Sequence, residues 1–596
     1  MFGFIKTLVV SIYYLMFLTM DQWMNVILVT TLVIGAMIGF QLAKRKICMG
    51  KAWAAICGLG IVVLYVLIVN LVLKNGGIET ELNGGMLRWI FYPIAIVLIT
   101  LVANRIGIYW FNSDVEEEEN TVYFEKIKKI IYIVGICSLI PLIMISPYVF
   151  AWADDYGFGY HCRHAWEDSG SLISILKAVF IMIKEAYFDW QGTYSSIFMM
   201  SIHPAVFNER LYAIVPMFFV FIIAGSSYFF LKTVLHDGLK IKNTDSKICI
   251  WTYILLGIQT VPTIQSAFFW YNGAVHYIAS HCMQLCMMAF ILRLYMGKRR
   301  WTDYLGCLVT AIYVGGGNLI TLVGTLFLTL TIVLAVFVTK NWKQYRGIVV
   351  MCVVYWIAMA INLLAPGNYS RLGNANGMGL IQALLQAFVY SVQYLFGKWM
   401  DWTVVATILF LLPFLWRLVR EIKGSFSYPV IVLIFSWCYY ASLFFSPLYA
   451  AGMVAAGRYE NVMYIQGLLL LFFNIAYLLG WIQRKYNVTS KKSIVKNEKL
   501  YFKMVAFSMG IGLTLSFLAA PTNYLTLGCI ETLANKEALE EYAQDYWENV
   551  DLFTSGQDNL TVNSLSNIPQ FLKAEESEAW HSGVRAFYRF QGLEFK

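Results

Sequence analysis

The stretch LITLVGTLFLTLTIVLAVFV, residues 319–338, holds no charged side chain and no proline. Coiled as an α-helix it is about 30 Å long, the thickness of a bilayer's hydrocarbon core. Runs of similar length and apolarity recur along most of the 596-residue chain, with brief polar interruptions. The composition agrees, at 59% hydrophobic and 13% charged, where soluble domains average roughly 45–50% and about 25%. A soluble fold is excluded, and so is a membrane β-barrel, whose ~10-residue alternating segments are absent. The sequence reads as an all-α polytopic membrane protein of about 15 transmembrane helices. They include Phe4–Met20, Ala52–Leu73, Ile248–Phe268 and the short Tyr304–Val314.

The formal charge is +9, and its distribution carries more than its sum. Basic residues mark every second loop, among them Lys44/Arg45/Lys46/Lys51, Lys126/Lys128/Lys129, Lys232/Lys240/Lys242/Lys247, Lys298/Arg299/Arg300 and Arg417/Arg420/Lys423. Cytoplasmic loops of membrane proteins hold such excess, so these loops are expected inside. The expected location is the plasma membrane, multi-pass, with the N-terminus cytoplasmic and the C-terminus extracytoplasmic. Loop charge of this kind already explains the basic balance, so the bilayer is an expected partner and nucleic acid is not. Most of the eleven cysteines lie in apolar runs and read as packing residues. Cys162 and Cys529 fall in long polar segments and are the one pair considered for a bridge.

Three parts are expected. Residues 1–129 form an N-terminal membrane segment of about four helices, and 130–520 a larger membrane domain. Residues 521–596 form an extracytoplasmic cap. The membrane domain carries two long outer loops, 151–210 and 365–401, whose aromatic content argues against disorder. In the first, Leu172, Ile175, Leu176, Val179, Phe180, Ile183 and Tyr187 recur at helical spacing after Ser169-Gly170-Ser171, which predicts an amphipathic helix lying flat on the interface. A second apolar stretch, Ser195–Phe207, is broken by Pro204, and Leu380–Phe396 is a further flat candidate. The cap is expected to hold a helix over Glu531–Trp547.

Asp154 and Asp155 follow the expected span Ile130–Phe150 directly, in Ala151-Trp152-Ala153-Asp154-Asp155-Tyr156-Gly157-Phe158. Acidic residues at a helix exit are commonly plain solvated ends. Two adjacent carboxylates among aromatic rings also form a pair in which desolvation and like charge raise one pKa, which suits a general base.

The acidic pair, the flat helix and then Trp190-Gln191-Gly192-Thr193-Tyr194-Ser195-Ser196 resemble the first outer loop of GT-C type membrane glycosyltransferases. Later echoes are Trp270-Tyr271-Asn272-Gly273 with His276-Tyr277, Ala365-Pro366-Gly367-Asn368 with Arg371, and Gly457-Arg458-Tyr459. The resemblance runs over roughly Ile130–Ala519, a core of about eleven helices. It implies a hexosyl or pentosyl transferase that moves a sugar from a polyprenyl-phosphate carrier to a glycan or lipid acceptor of the cell envelope. Asp154 is then the expected base and Asp155 its partner. Arg371, Arg458, His276 and His281 are expected at the donor phosphate, with Trp190 and Tyr194 lining the donor site. Thr193 departs from the pattern, since such relatives often have arginine there. No cofactor and no metal site is expected. A divalent cation held by the acidic pair against a diphosphate is the alternative, and Cys282 and Cys286 beside His281 read as packing. Two other functions compete: a transporter or flippase of lipid-linked saccharides, and an O-antigen-type polymerase or ligase.

Overall fold

Among the described residues of the computed structural model, ten helices are long and apolar enough to cross a membrane, and they make the chain a helical multi-pass membrane protein. They are Thr121–Tyr148, Glu209–Gly238, Tyr271–Tyr295, Leu319–Val338, Trp342–Leu363, Leu380–Lys398, Trp402–Glu421, Pro429–Ala451, Gly457–Lys485 and Glu498–Leu518. The structure describes residues 20–50, 60, 85–111, 121–298, 300–372, 377–454, 457–488, 492–563, 565, 568–573 and 580–595. The expected spans Phe4–Met20 and Ala52–Leu73 fall outside these at nearly every position.

Two expectations about the membrane segments change in detail. Ile248–Phe268 is not one helix: Thr244–Gln259 stops before Pro262, and the chain continues through a π-helical turn, Gln265–Phe269. Proline lacks the N–H that a continuing helix needs. Leu380–Lys398, expected to lie flat, has the length and apolarity of a span.

The chain divides into two compact units. One comprises residues 1–124, 384–437 and 470–513. In it, helices Met20–Lys44 and Gly85–Phe111 touch backbone to backbone. A Cβ at Gly39 would stand 2.3 Å from the Thr100 carbonyl oxygen, so only glycine permits this approach, a device common between membrane helices. The fully buried Asn104 then donates to the Gly39 and Ile47 carbonyls and accepts from the Met49 N–H. Arg417, read in the sequence as a loop charge, is buried here against Glu498 at 2.6 Å, with its guanidinium over Phe124.

The other unit comprises 125–383, 438–469 and 514–596. Helix Trp301–Gly315 follows Tyr271–Tyr295, and Met287, Ile291, Cys307, Ala311, Cys352 and Tyr355 interlock as one core cluster. The Asn318 side chain accepts from the Ile320 and Thr321 N–H groups, which caps helix Leu319–Val338 and ends the glycine turn before it. The C-terminal segment is folded as helices Leu525–Ala534, Lys536–Phe553 and Trp580–Tyr588 with two short parallel strands, Asn559–Val562 and Gly592–Phe595. The single helix expected over Glu531–Trp547 is two, parted at Asn535. Cys162 and Cys529 are both free and buried.

Candidate active site around the acidic pair

Helix Thr121–Tyr148 closes in a turn through Pro147, and Val149, Phe150 and Ala151 run buried to Ala153. Ala153 has φ +50° and ψ −120°, a conformation that L-residues avoid and glycine favours. Its buried methyl packs on Trp270 beside Trp152. The sharp turn starts helix Asp154–Ser169 with both carboxylates in its first turn, where the helix dipole favours negative charge.

The two carboxylates have different surroundings. Asp155 is 0% exposed. One of its oxygens accepts from the Trp152 N–H at 3.0 Å and from the Tyr212 hydroxyl at 2.6 Å, and the other from the Asn272 N–H at 3.1 Å. Tyr212 in turn accepts from the Tyr271 N–H at 2.9 Å. Burial pushes the Asp155 carboxyl up to about 7, partly offset by the hydroxyl and the two N–H donors, while the Asp154 charge adds a smaller upward push. Asp154 stays partly exposed at the helix tip.

Trp270 connects this pair to two further predicted residues. The Arg458 guanidinium lies 5.5 Å from the Trp270 ring centroid and 5.8 Å from that of Tyr459. Tyr459 packs on Tyr277, and Tyr277 meets the His276 ring edge-on at 4.7 Å. The turn at Ala153 that precedes the pair is therefore linked through Trp270 to Arg458, and through Tyr459 and Tyr277 to His276. His281 lies deeper, 1% exposed, and its Nδ1 accepts from the Gln466 amide at 3.2 Å. That amide also donates to Gln284, which donates to Thr325; the Tyr439 hydroxyl donates to Gln466. His281 thus belongs to a polar network inside the spans.

Trp190 and Tyr194 occupy a neighbouring junction. Trp190 is half-exposed at the end of helix Leu172–Asp189. Tyr194 donates to the Ile312 and Ala358 carbonyls. Between them a Cβ on Gly192 would stand 2.0 Å from the Asn362 carbonyl oxygen, so the junction requires glycine. The Gly192 N–H donates to Asn368, Asn368 donates to the Asn362 carbonyl, and Asn362 donates to the carbonyls of Gly315 and Gly317. Asn318 in the same turn donates to the His276 carbonyl at 2.7 Å, which joins the junction to the acidic-pair side. Thr193 is buried. Arg371 stands in helix Pro366–Leu372, and its side chain lies outside the described residues.

Two contributors gave no signal in the sequence, and a third was expected only as a cap. Tyr212 sits in a short helical turn, Glu209–Ile214, with no motif around it. His203 is fully buried against Phe587, and burial pushes its ring down to about 3. The C-terminal segment covers the acidic helix: Trp580 packs on Trp152, Phe587 on Tyr156, and Ala586 accepts from His164. Tyr546 stacks on Phe150 at 3.9 Å and meets the Tyr156 hydroxyl at 3.3 Å. Among the described residues no three His, Cys, Asp or Glu side chains converge as a metal-ligand set. Comparison with family models, curated proteins and solved structures finds no match for the chain.

Proposed function

We propose that the chain is a glycosyltransferase of the plasma membrane that moves a sugar from a polyprenyl-phosphate carrier to a glycan or lipid acceptor of the cell envelope. The observation that carries this reading is the division of labour in the acidic pair. Asp155 is buried and holds three donors, while Asp154 stands partly exposed beside it, following Ala153, whose methyl packs on the Trp270 ring that the Arg458 guanidinium faces. In the proposed reaction the acceptor oxygen attacks the anomeric carbon and its proton passes to Asp154. The bond from that carbon to the carrier phosphate breaks, and polyprenyl phosphate leaves with the electron pair. Arg458, with Arg371, meets the charge on the leaving phosphate through a planar guanidinium. Asp155 is a positioning residue in this scheme. The acidic pair faces outward and the C-terminal segment is extracytoplasmic, in keeping with the basic residues at the opposite ends of the same helices.

The test is transfer by purified protein from polyprenyl-phosphate sugar. Asp154→Asn keeps the volume and removes the proton acceptor, so transfer falls at least a hundredfold, the upper range of general-base effects being about ten-thousandfold. The variant inserts and unfolds as the parent does. Transfer above a tenth of the parent rate excludes Asp154 as the base. The buried polar network around His281 favours one second reading, a transporter of lipid-linked saccharides, because polar residues within spans often line substrate pathways. Under that reading the parent protein moves labelled carrier across liposomes and transfers no sugar.

A further inference from the structure

A cavity of about 300 Å³ opens at the far ends of the two helices whose first residues hold Asp155. It is within the range of small-ligand pockets, about 300–1,000 Å³. Lys232 and Asp237 line it from the end of Glu209–Gly238, and Arg293, Lys298 and Arg300 from the end of Tyr271–Tyr295 and the turn after it. Two basic loops some sixty residues apart in sequence thus converge on one hollow, four cations against one carboxylate.

The cations fall into two pairs. Asp237 holds Lys298 at 2.7 Å and Arg293 at 3.6 Å, and Asp303 takes the Arg293 Nε at 2.6 Å. Those two are fixed in place. Lys232 and Arg300 line the same cavity, are exposed, and have no ion-pair partner among the described residues. An arrangement of two anchored and two unpaired cations leaves net positive charge directed into a concave space, which fits an anion of phosphate chemistry.

The position selects the source of that phosphate. From Tyr212 to Lys232, and from Asn272 to Arg293, a helix climbs about 30 Å, one hydrocarbon thickness. The cavity therefore lies at the membrane face opposite the acidic pair, at headgroup level. Arg300 is followed directly by Trp301, and helix Trp301–Gly315 exposes Trp301, Leu305, Val309 and Ile312 in one apolar stripe. Tryptophan beside a cation at the start of such a stripe is the usual anchor at a membrane boundary. We propose that this cavity binds the phosphate of an anionic phospholipid headgroup, with the acyl chains lying along the stripe. The site stands apart from the transfer chemistry and does not depend on it.

The experiment counts lipid bound to the purified full-length protein by native mass spectrometry during titration with phosphatidylglycerol or phosphatidylcholine. A thermal-shift titration with inorganic phosphate runs in parallel. Phosphatidylglycerol is expected to bind at least tenfold more tightly than phosphatidylcholine. The double variant Lys232→Gln/Arg300→Gln loses at least tenfold in affinity, and Arg300→Lys alone keeps most of it. Lys240→Gln/Lys242→Gln removes two exposed lysines outside the cavity and changes affinity less than twofold. Equal losses in the two double variants mean diffuse surface attraction and overturn the site. Inorganic phosphate that stabilises the protein as strongly as the lipid, with the same dependence on Lys232 and Arg300, overturns the lipid assignment. If the cavity variant unfolds before titration, Arg300→Lys decides alone: phosphatidylglycerol and phosphatidylcholine bound equally by that folded variant also overturn the proposal.

Discussion

Two buried polar networks share the helix Tyr271–Tyr295 and solve the same problem differently. At its start, Asn272 helps satisfy the ionisable Asp155, which accepts three hydrogen bonds from three separate segments. Nine and twelve residues further in, His281 and Gln284 join Gln466, Tyr439 and Thr325 through amides and hydroxyls, with no carboxylate, lysine or arginine in these bonds. The depth explains the difference. A carboxylate at the end of the spans can be supplied with donors from turns and helix starts, where backbone N–H groups are unpaired. In mid-span those N–H groups are used by the helix itself, and an isolated charge there is costly, so neutral side chains tie the helices together. Gln466 spends both amide hydrogens and its oxygen in this way.

This contrast breaks most sharply at Asp155. Asp155→Ala leaves the Trp152 and Asn272 N–H groups and the Tyr212 hydroxyl facing a void, at about 1–3 kcal/mol for each buried orphan. A loss of at least about 3 kcal/mol is expected, read by thermal or SDS-induced unfolding in detergent. The same residue sets a pH dependence. Its carboxyl is raised from 3.8 to about 7, so between those values the folded state keeps a proton that the unfolded chain has released. Its contribution to stability is complete below about pH 4, declines as pH rises toward 7, and is flat above. Asp155→Asn removes that slope. The buried His203, held down to about 3, contributes a slope of opposite sign, so the reading is the difference between the parent and Asp155→Asn, and a difference that stays level from pH 4 to 7 contradicts the raised carboxyl.

The mid-span network should yield less. Gln466→Leu removes three hydrogen bonds while keeping side-chain volume close. Interhelical hydrogen bonds in membranes average about 0.6 kcal/mol, with a maximum near 1.7, because the unfolded state in lipid also finds partners. A destabilisation of about 1–2 kcal/mol with no pH slope between 4 and 7 is expected in the same unfolding assay. A loss as large as that of Asp155→Ala would mean that depth does not separate the two networks.

What could be read in the sequence follows the same division between local and distant. Hydropathy over twenty residues locates most spans because burial in lipid acts on every residue of the segment. The start of helix Leu172–Asp189 was legible as well, in Ser171 and in Gly170, whose φ of +58° ends the preceding helix. Its packing was less so: Leu172, Leu176 and Phe180 are exposed, while Ile175, Val179 and the small Ala178 and Ala186, the last two not singled out by the periodicity, are buried. Pairings across long sequence distance left no pattern. Tyr212 reaches Asp155 across 57 residues, and Tyr546 reaches Tyr156 across 390. The acidic pair could therefore be found in the sequence, but which member is buried could not, because Tyr212 and the Asn272 backbone decide it.

The smallest effect tests whether the turn before the pair does more than reverse the chain. Ala153 adopts a backbone conformation that costs a non-glycine residue of order 1–3 kcal/mol. Ala153→Gly relieves that strain, but glycine adds about 0.5–1 kcal/mol of unfolded-state entropy. It also removes a methyl buried on Trp270, worth about 0.8 kcal/mol. These terms offset, so the stability change is expected to stay within about 1 kcal/mol of zero. Activity is the more informative reading. In the proposed reaction the Ala153 methyl, packed on Trp270 with Trp152 beside it, holds the angle at which the helix leaves the turn and so the aim of Asp154. A looser turn should lower kcat several-fold and leave the donor KM unchanged, because Arg458 keeps its place on Trp270. A variant stabilised by more than about 2 kcal/mol at full activity would show that the strain at Ala153 serves neither the hub nor the reaction.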